Sequence, residues 1–278
     1  MNKDRVLGVD ITTSSDDEIL KYITTRLQNI GKKWFIVTPN PEMLVLASQN
    51  FEFKAILNKA DIALPDGMGL VVAAKLLGKG VKRRITGVDM VYKVCEMMSR
   101  EGLTAGFLGG EKGVAVKTAE CLIKLYPELR VIFAGSEWPE DWFMHKINSK
   151  VIRQLADQKS KLQLKSQKLN NNSEIQDTKY SKQQIDMLFV AFGFPKQEKW
   201  IYENLDKIPV LAAMGVGGAF DYISGKVPRA PQFIRYLGFE WLYRLIVEPW
   251  RWRRQLALGE FGWMVLKEVW RKKLKVGA

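Results

Sequence analysis

Runs of apolar residues at 34–37, 60–64, 105–108, 130–133, 186–191 and 209–214 alternate with segments whose apolar residues recur at helical spacing. The helical segments are Glu42–Asn58, Gly69–Leu77, Met90–Ser99 and Gly113–Tyr126. Strands that are apolar throughout must be covered on both faces, and strand–helix alternation covers them with crossover helices. The chain is therefore predicted to be α/β, with a Rossmann-like parallel sheet, helices on both faces and right-handed crossovers. A length of 278 residues, 47% of them apolar, suffices for one substantial core.

The ends of the apolar runs carry the chemistry. Trp34–Val37 leads into Thr38-Pro39-Asn40-Pro41, Ala60–Leu64 into Pro65-Asp66-Gly67, and Met187–Val190 toward Gly193-Phe194-Pro195-Lys196-Gln197-Glu198. In a parallel sheet the carboxyl ends of the strands open on one edge, so these turns predict a single composite site. Asp66, set in a tight turn, is a candidate general base, or equally an Asx turn or helix cap. Thr38 and Asn40 offer a hydroxyl and an amide to a sugar or phosphate, or serve the turn alone. Gln197 opens a helix whose free backbone amides suit an anion. Gly109-Gly110 and Gly215-Val216-Gly217-Gly218 let backbone approach a phosphate, although neither forms a dinucleotide fingerprint or a Walker A loop.

The net charge of +13 points to phosphate-bearing partners. Residues 229–278 hold eleven Lys and Arg against four Glu, together with five of the nine tryptophans, Trp241, Trp250, Trp252, Trp263 and Trp270. Trp at headgroup level and Arg on lipid phosphate are the means by which a segment lies on a membrane surface. The α/β alternation stops near Pro228 and Pro231. This divides a core at 1–228 from a basic, Trp-rich, helical C-terminal appendage at 229–278. Pro249 is suited to the start of a helix and not to its interior.

Between about Asp157 and Gln184 the chain is rich in Lys, Gln, Asn and Ser, and it reads as a mobile insertion into the core. No apolar run reaches membrane-spanning length, and the N-terminus leads into a strand-like segment instead of a signal-peptide core. The expectation is a cytoplasmic protein. Cys95 and Cys121 read as reduced core thiols, and His145, the one histidine, lacks the nucleophile elbow that a Ser-His-Asp triad would need. No Asp-x-Asp pair or His/Cys cluster offers a divalent metal site, so no metal is expected.

Six co-linear motifs carry a family resemblance. They are Thr38–Glu42, Leu64–Gly69, Arg84–Asp89, Gly193–Glu198, Gly215–Asp221, and Arg229-Ala230-Pro231 through Glu240–Arg244 to Glu248-Pro249. From about Val6 to Arg254 the chain resembles the WecG/TagA/CpsF glycosyltransferases. The resemblance implies inverting, metal-independent transfer of a sugar, typically of N-acetylmannosamine type, from a UDP-sugar to a polyprenyl-diphosphate-linked acceptor. It places the reaction at the inner face of the cell membrane, in the synthesis of teichoic acid or another cell-surface polysaccharide, with no cofactor beyond the donor. It makes Asp66 the base and Thr38 and Asn40 catalytically important. It places Gln197 and Arg84 in substrate binding, beside Gly109 and Gly217 of the strand-end glycine turns, and gives Arg244, Arg251 and Arg254 the diphosphate. A homo-oligomer is compatible with the family.

Gly135-Ser136-Glu137-Trp138 departs from the family's more usual His- and Tyr-containing turn, which leaves the donor open among N-acetylmannosamine, its uronic acid, glucose and other hexoses. Two other classes compete. A nucleic-acid-binding module would suit the charge, but the basic residues are interleaved with apolar ones and no recognition motif is present. A nonenzymatic membrane scaffold would leave the strand-end cluster without a purpose.

Overall fold

The computed structural model describes residues 1–29, 31–139 and 184–276. His145 and, apart from Gln184, the segment read as an insertion lie outside the described residues. The six apolar runs all form strands: β3 (Trp34–Val37), β4 (Ile62–Ala63), β5 (Thr104–Gly109), β6 (Arg130–Gly135), β7 (Ile185–Ala191) and β8 (Val210–Gly215). They build one sheet in the order β4-β3-β8-β7-β5-β6, parallel at every pairing.

The register aligns the strand ends. Val37 faces Ala63, Gly215 faces Val190, and Ala191 faces Gly109, so β4, β3, β8, β7 and β5 all finish at one level. The chain passes from β3 outward to β4 and then crosses to β5 on the other side, leaving a crevice over the carboxyl ends of the central strands.

Alternate residues of one strand feed opposite cores. Trp34 and Ile36 join α1 (Asp16–Gln28), α5 (Gly87–Glu101) and α6 (Val114–Leu125) on one face. Phe35 and Val37 join α2 (Pro41–Gln49), α3 (Phe51–Lys59) and α4 (Met68–Leu76) on the other. Cys95 is buried in the first core and Cys121 is half-buried; both are free thiols.

Two local features differ from the sequence reading. The helix expected over Glu42–Asn58 is two helices, because Asn50 ends α2 and its side chain accepts from the Phe53 N–H at 2.9 Å to start α3. An antiparallel hairpin, β1 (Lys3–Val6) and β2 (Val9–Thr12), precedes the sheet, turning at Leu7 and Gly8, both with positive φ. It buries Val6, Val9 and Ile11, and Thr12 Oγ1 accepts from the Ala63 N–H at 3.0 Å, so the hairpin covers the short edge strand β4.

After β7 and β8 come α7 (Lys196–Asn204) and α8 (Ala219–Ile223), and then the C-terminal elements α9 (Gln232–Tyr236), α10 (Glu240–Val247) and α11 (Trp252–Val276). Pro249 starts a 3-10 turn between α10 and α11, the position its missing N–H permits. Helix α11 lies across α2 and α4, with Phe261 and Val265 buried in the second core and Lys272 Nζ donating to the Leu77 carbonyl at 2.7 Å. Its other side leaves Trp263, Leu266 and Trp270 exposed. Among the described residues no helix is long and apolar enough to cross a membrane.

Candidate active site

Two cavities meet at the carboxyl edge of the sheet, and Asn40, Asp66 and Arg244 line both. The first, of about 420 Å³, is walled largely by apolar groups that include Pro41, Met68, Val88, Trp241, Leu258 and Phe261. The second, of about 520 Å³, is polar and carries Thr38, Gln197, Gly217, Arg251 and Arg254. The fold thus brings together every sequence-predicted site residue except Gly109. That glycine lines neither cavity; its φ of 104° and the backbone of Ala191 leave no room for a side chain, and its neighbour Gly110 reaches the polar cavity. The Gly135–Trp138 turn lines neither, and Trp138 packs against Phe133 and Trp200 instead.

The strand-end turns are laced to one another. The Asp66 N–H donates to the Pro39 carbonyl at 2.9 Å, and the Ile85 N–H to the Pro65 carbonyl at 2.8 Å. Gly67, with φ 102°, occupies the cap position of α4, which has no side-chain cap. The Asp66 carboxylate therefore does not cap the helix that follows it. It accepts instead from the N–H of Gly87, the first residue of α5. Burial pushes the Asp66 carboxyl from 3.8 up to about 6, with Glu240 and Asp89 adding to the rise and Arg84 and the Gly87 N–H opposing it. Its side chain still borders both cavities.

Thr38 is buried, and its hydroxyl donates to the Gly215 carbonyl at 3.2 Å, tying β3 to β8, so toward a ligand it is an acceptor. Asn40 caps α2, its Oδ1 accepting from the Met43 N–H at 3.0 Å, which leaves the amide nitrogen to donate. Gln197 is buried and fixed at both ends, Oε1 accepting from the Gly217 N–H at 2.9 Å and Nε2 donating to Glu198 Oε1 at 2.8 Å. Glu198 is fully buried, and burial pushes its carboxyl up to about 7 against the Gln197 hydrogen bond.

The appendage arginines gather over the polar cavity. Arg244 Nε donates to Glu248 at 2.5 Å and Nη2 to Asp221 at 3.3 Å, and the guanidinium lies 4.8 Å from the centre of the Tyr222 ring. It presses on Gly218 so closely that a Cβ there would clash with the guanidinium. Arg251 lies 3.5 Å from Glu248, and burial with the nearby Arg244 and Arg254 holds it below the usual guanidinium range. Arg254 pairs with Glu42 at 2.9 Å and stacks on Phe194 at 4.8 Å. Crowded, partly dehydrated guanidinium groups of this kind form a site for an anion with several oxygens. Arg84 stands apart, on the apolar cavity, paired with Glu240 at 2.5 Å.

Glu240, Glu248, Asp221 and Arg229 stand in the motifs that carry the resemblance, but the sequence reading gave them no role at the site. A signal existed for two of them, because Glu240, Arg244 and Glu248 are spaced by four, a spacing that brings side chains together along a helix.

Comparison with known proteins settles the family. The model of the glycosyl transferase WecG/TagA/CpsF family matches residues 5–275. The chain belongs to this family. It is accordingly an enzyme of the transferase class. Among its WecG/TagA/CpsF relatives is a Bacillus spizizenii protein named N-acetylglucosaminyldiphosphoundecaprenol N-acetyl-beta-D-mannosaminyltransferase, 32% identical over 259 residues, 93% of this chain and 89% of the relative. Proteins of the same name from Bacillus subtilis, 29% identical over 88% of this chain and 83% of the relative, and from Staphylococcus aureus, 27% identical over 97% and 94%, are also similar to it.

Proposed function

We propose that the chain transfers a sugar of the N-acetylmannosamine type, with inversion, from a UDP-sugar to a GlcNAc-bearing polyprenyl-diphosphate acceptor, as a step in cell-surface polysaccharide or teichoic acid synthesis. The observation that carries this reading is the place of Asp66, a half-buried carboxylate between an arginine-rich polar cavity and an apolar-walled one. The polar cavity suits the nucleotide diphosphate and its sugar, and the apolar one the acceptor end that leads to a lipid. The relatives are named for an N-acetylglucosaminyldiphosphoundecaprenol acceptor, which supports the same assignment.

Asp66 takes the proton from an acceptor hydroxyl as that oxygen forms its bond to the anomeric carbon. The bond from that carbon to the UDP oxygen breaks on the opposite face, and the electron pair leaves with the diphosphate. One base and one displacement give inversion. Arg244, Arg251 and Arg254 receive the growing charge, and Thr38, Asn40 and the Gly217 backbone held by Gln197 bound the sugar.

The test is a screen of UDP-N-acetylmannosamine, its uronic acid and UDP-glucose against a short-chain lipid-diphosphate-GlcNAc acceptor, with and without EDTA. The N-acetylmannosamine donor is expected to react fastest, and EDTA to leave the rate unchanged. No transfer from any of the donors would overturn the reading, and a rate lost to EDTA and restored by Mg²⁺ or Mn²⁺ would overturn the role of the arginines.

A peripheral position on the inner face of the membrane goes with this function. Trp263 and Trp270, 68% and 71% exposed, project from α11 beside Arg271 and Lys272. Replacing both tryptophans with Ala is expected to weaken pelleting with anionic liposomes roughly tenfold or more while leaving transfer to a water-soluble acceptor within about twofold. Unchanged pelleting would place the membrane contact elsewhere.

A further inference from the structure

Glu240 is the one carboxylate that α10 sends from the C-terminal appendage into the core beside Asp66, and it holds two arginines at once. Its Oε2 lies 2.5 Å from Arg84 Nη2 and its Oε1 3.2 Å from Arg229 Nε, with both Arg84 and Glu240 only 13% exposed. Arg229 continues to Asp89 at 2.8 Å and to the Thr86 hydroxyl at 3.5 Å. Thr86 caps α5, the helix whose first N–H bonds the Asp66 carboxylate. Glu240 thus borders Asp66 by two routes, through Arg84 and through the Arg229–Asp89–Thr86 cap.

An arginine whose charge reaches a carboxylate would ordinarily pair with it and leave it a weaker base, and the Arg84 charge acts on Asp66. Here Arg84 is directed onto Glu240. We propose that Glu240 is a positioning residue of the transfer: by drawing Arg84 and Arg229 onto itself it keeps Asp66 unpaired, so that Asp66 is a competent base only when the appendage is docked. The proposal rests on the reading of Asp66 as the base. The charged groups that act on Asp66 or share a cavity with it are Arg84 before α5, Asp89 on α5, Glu42 on α2, Glu111, Asp221 and Lys226 across the polar cavity, and from the appendage Glu240, Arg244, Glu248, Arg251 and Arg254. Of the appendage groups, Glu240 is the one paired with Arg84. Arg244 is already paired with Glu248 and Asp221, which leaves Glu240 as the group that decides where the Arg84 charge goes.

The test follows the Asp66 carboxyl by carbon-13 NMR in the full chain, with the resonance assigned by its loss in Asp66→Asn. In wild type the midpoint is expected near 6. In E240Q, which keeps the side chain's shape and one acceptor, Arg84 turns to Asp66 and the midpoint is expected to fall by about one pH unit. The kcat for the lipid-diphosphate-GlcNAc acceptor is expected to fall about tenfold, with UDP affinity by calorimetry within about threefold of wild type. An ion pair that only braced the fold would lower the melting temperature and leave the Asp66 midpoint where it was, and that outcome overturns the proposal. E240D, which keeps the charge, guards against a packing defect; a midpoint that fell there as far as in E240Q would also overturn it. If wild type moves no sugar from any UDP donor, the proposed reaction fails, while the carboxyl titration still decides whether Glu240 directs the Arg84 charge.

Discussion

Asp66→Asn is expected to fold, to bind UDP, and to transfer sugar at least about 100-fold more slowly than wild type, the loss typical of removing a positioned general base. The asparagine keeps the shape of the side chain and its hydrogen bond from the Gly87 N–H, so the two cavities and the arginine cluster stay in place. What is lost is the acceptor of the proton. The wild-type rate is expected to rise with pH through the Asp66 midpoint of about 6 and to level above it, because only the ionised carboxylate can take a proton. The residual rate of the variant should lack that acid limb.

A stability measurement separates this from a structural role. The folded-state pKa of Asp66 is raised, so the folded protein favours the protonated form, and stability falls as pH rises through the interval from 3.8 to about 6. Holding the carboxylate ionised at pH 8 costs on the order of 3 kcal/mol, roughly two pK units at ~1.4 kcal/mol each. Asn carries no such cost, so the variant should melt no lower than wild type at pH 8 while being nearly inactive. A variant that melted much lower, or that turned over at the wild-type rate, would leave Asp66 as a turn residue.

The legible part of the fold was whatever a short local pattern could encode. Strands apolar on both faces must be covered on both, and their alternation with helical segments makes that cover crossover helices on a parallel sheet, which is why Trp34–Val37 and Met187–Val190 were recognisable. The hairpin escaped because Lys3–Thr12 alternates over only four residues per strand and its turn, Leu7-Gly8, lacks the usual Asn-Gly signal. The break between α2 and α3 escaped because Asn50 is the only mark of it, inside an apolar pattern that continues across it.

At the site, residues placed by strand ends were legible, since sheet register carries Thr38, Asp66 and Gln197 to one edge. Glu240 was not, because its meaning lies in partners 156 and 11 residues away in the chain. Glu198 was overshadowed by Gln197 beside it; its significance comes from complete burial, and the buried face of α7 is fixed only by packing.

Truncation after Pro228 is expected to leave a body that folds, because all six strands of the sheet precede that residue, and yet to abolish nearly all transfer. Its melting temperature should drop, since Phe261 and Val265 leave the core they share with α2 and α4, and each buried side chain of this size contributes about 1.5–3 kcal/mol. The loss of turnover has a separate cause. The same cut removes Glu240, Arg244, Arg251 and Arg254, so the diphosphate leaves without its cations, and removing a single such donor already costs about 100-fold or more. A water-soluble acceptor isolates this effect, because it makes membrane docking irrelevant. With that acceptor the full chain should be active, Arg251→Ala strongly depressed, and the truncated body depressed at least as far. If the truncated body turned over the soluble acceptor as fast as the full chain, residues 229–278 would serve as an anchor alone. The arginines over the polar cavity would then have no part in the chemistry.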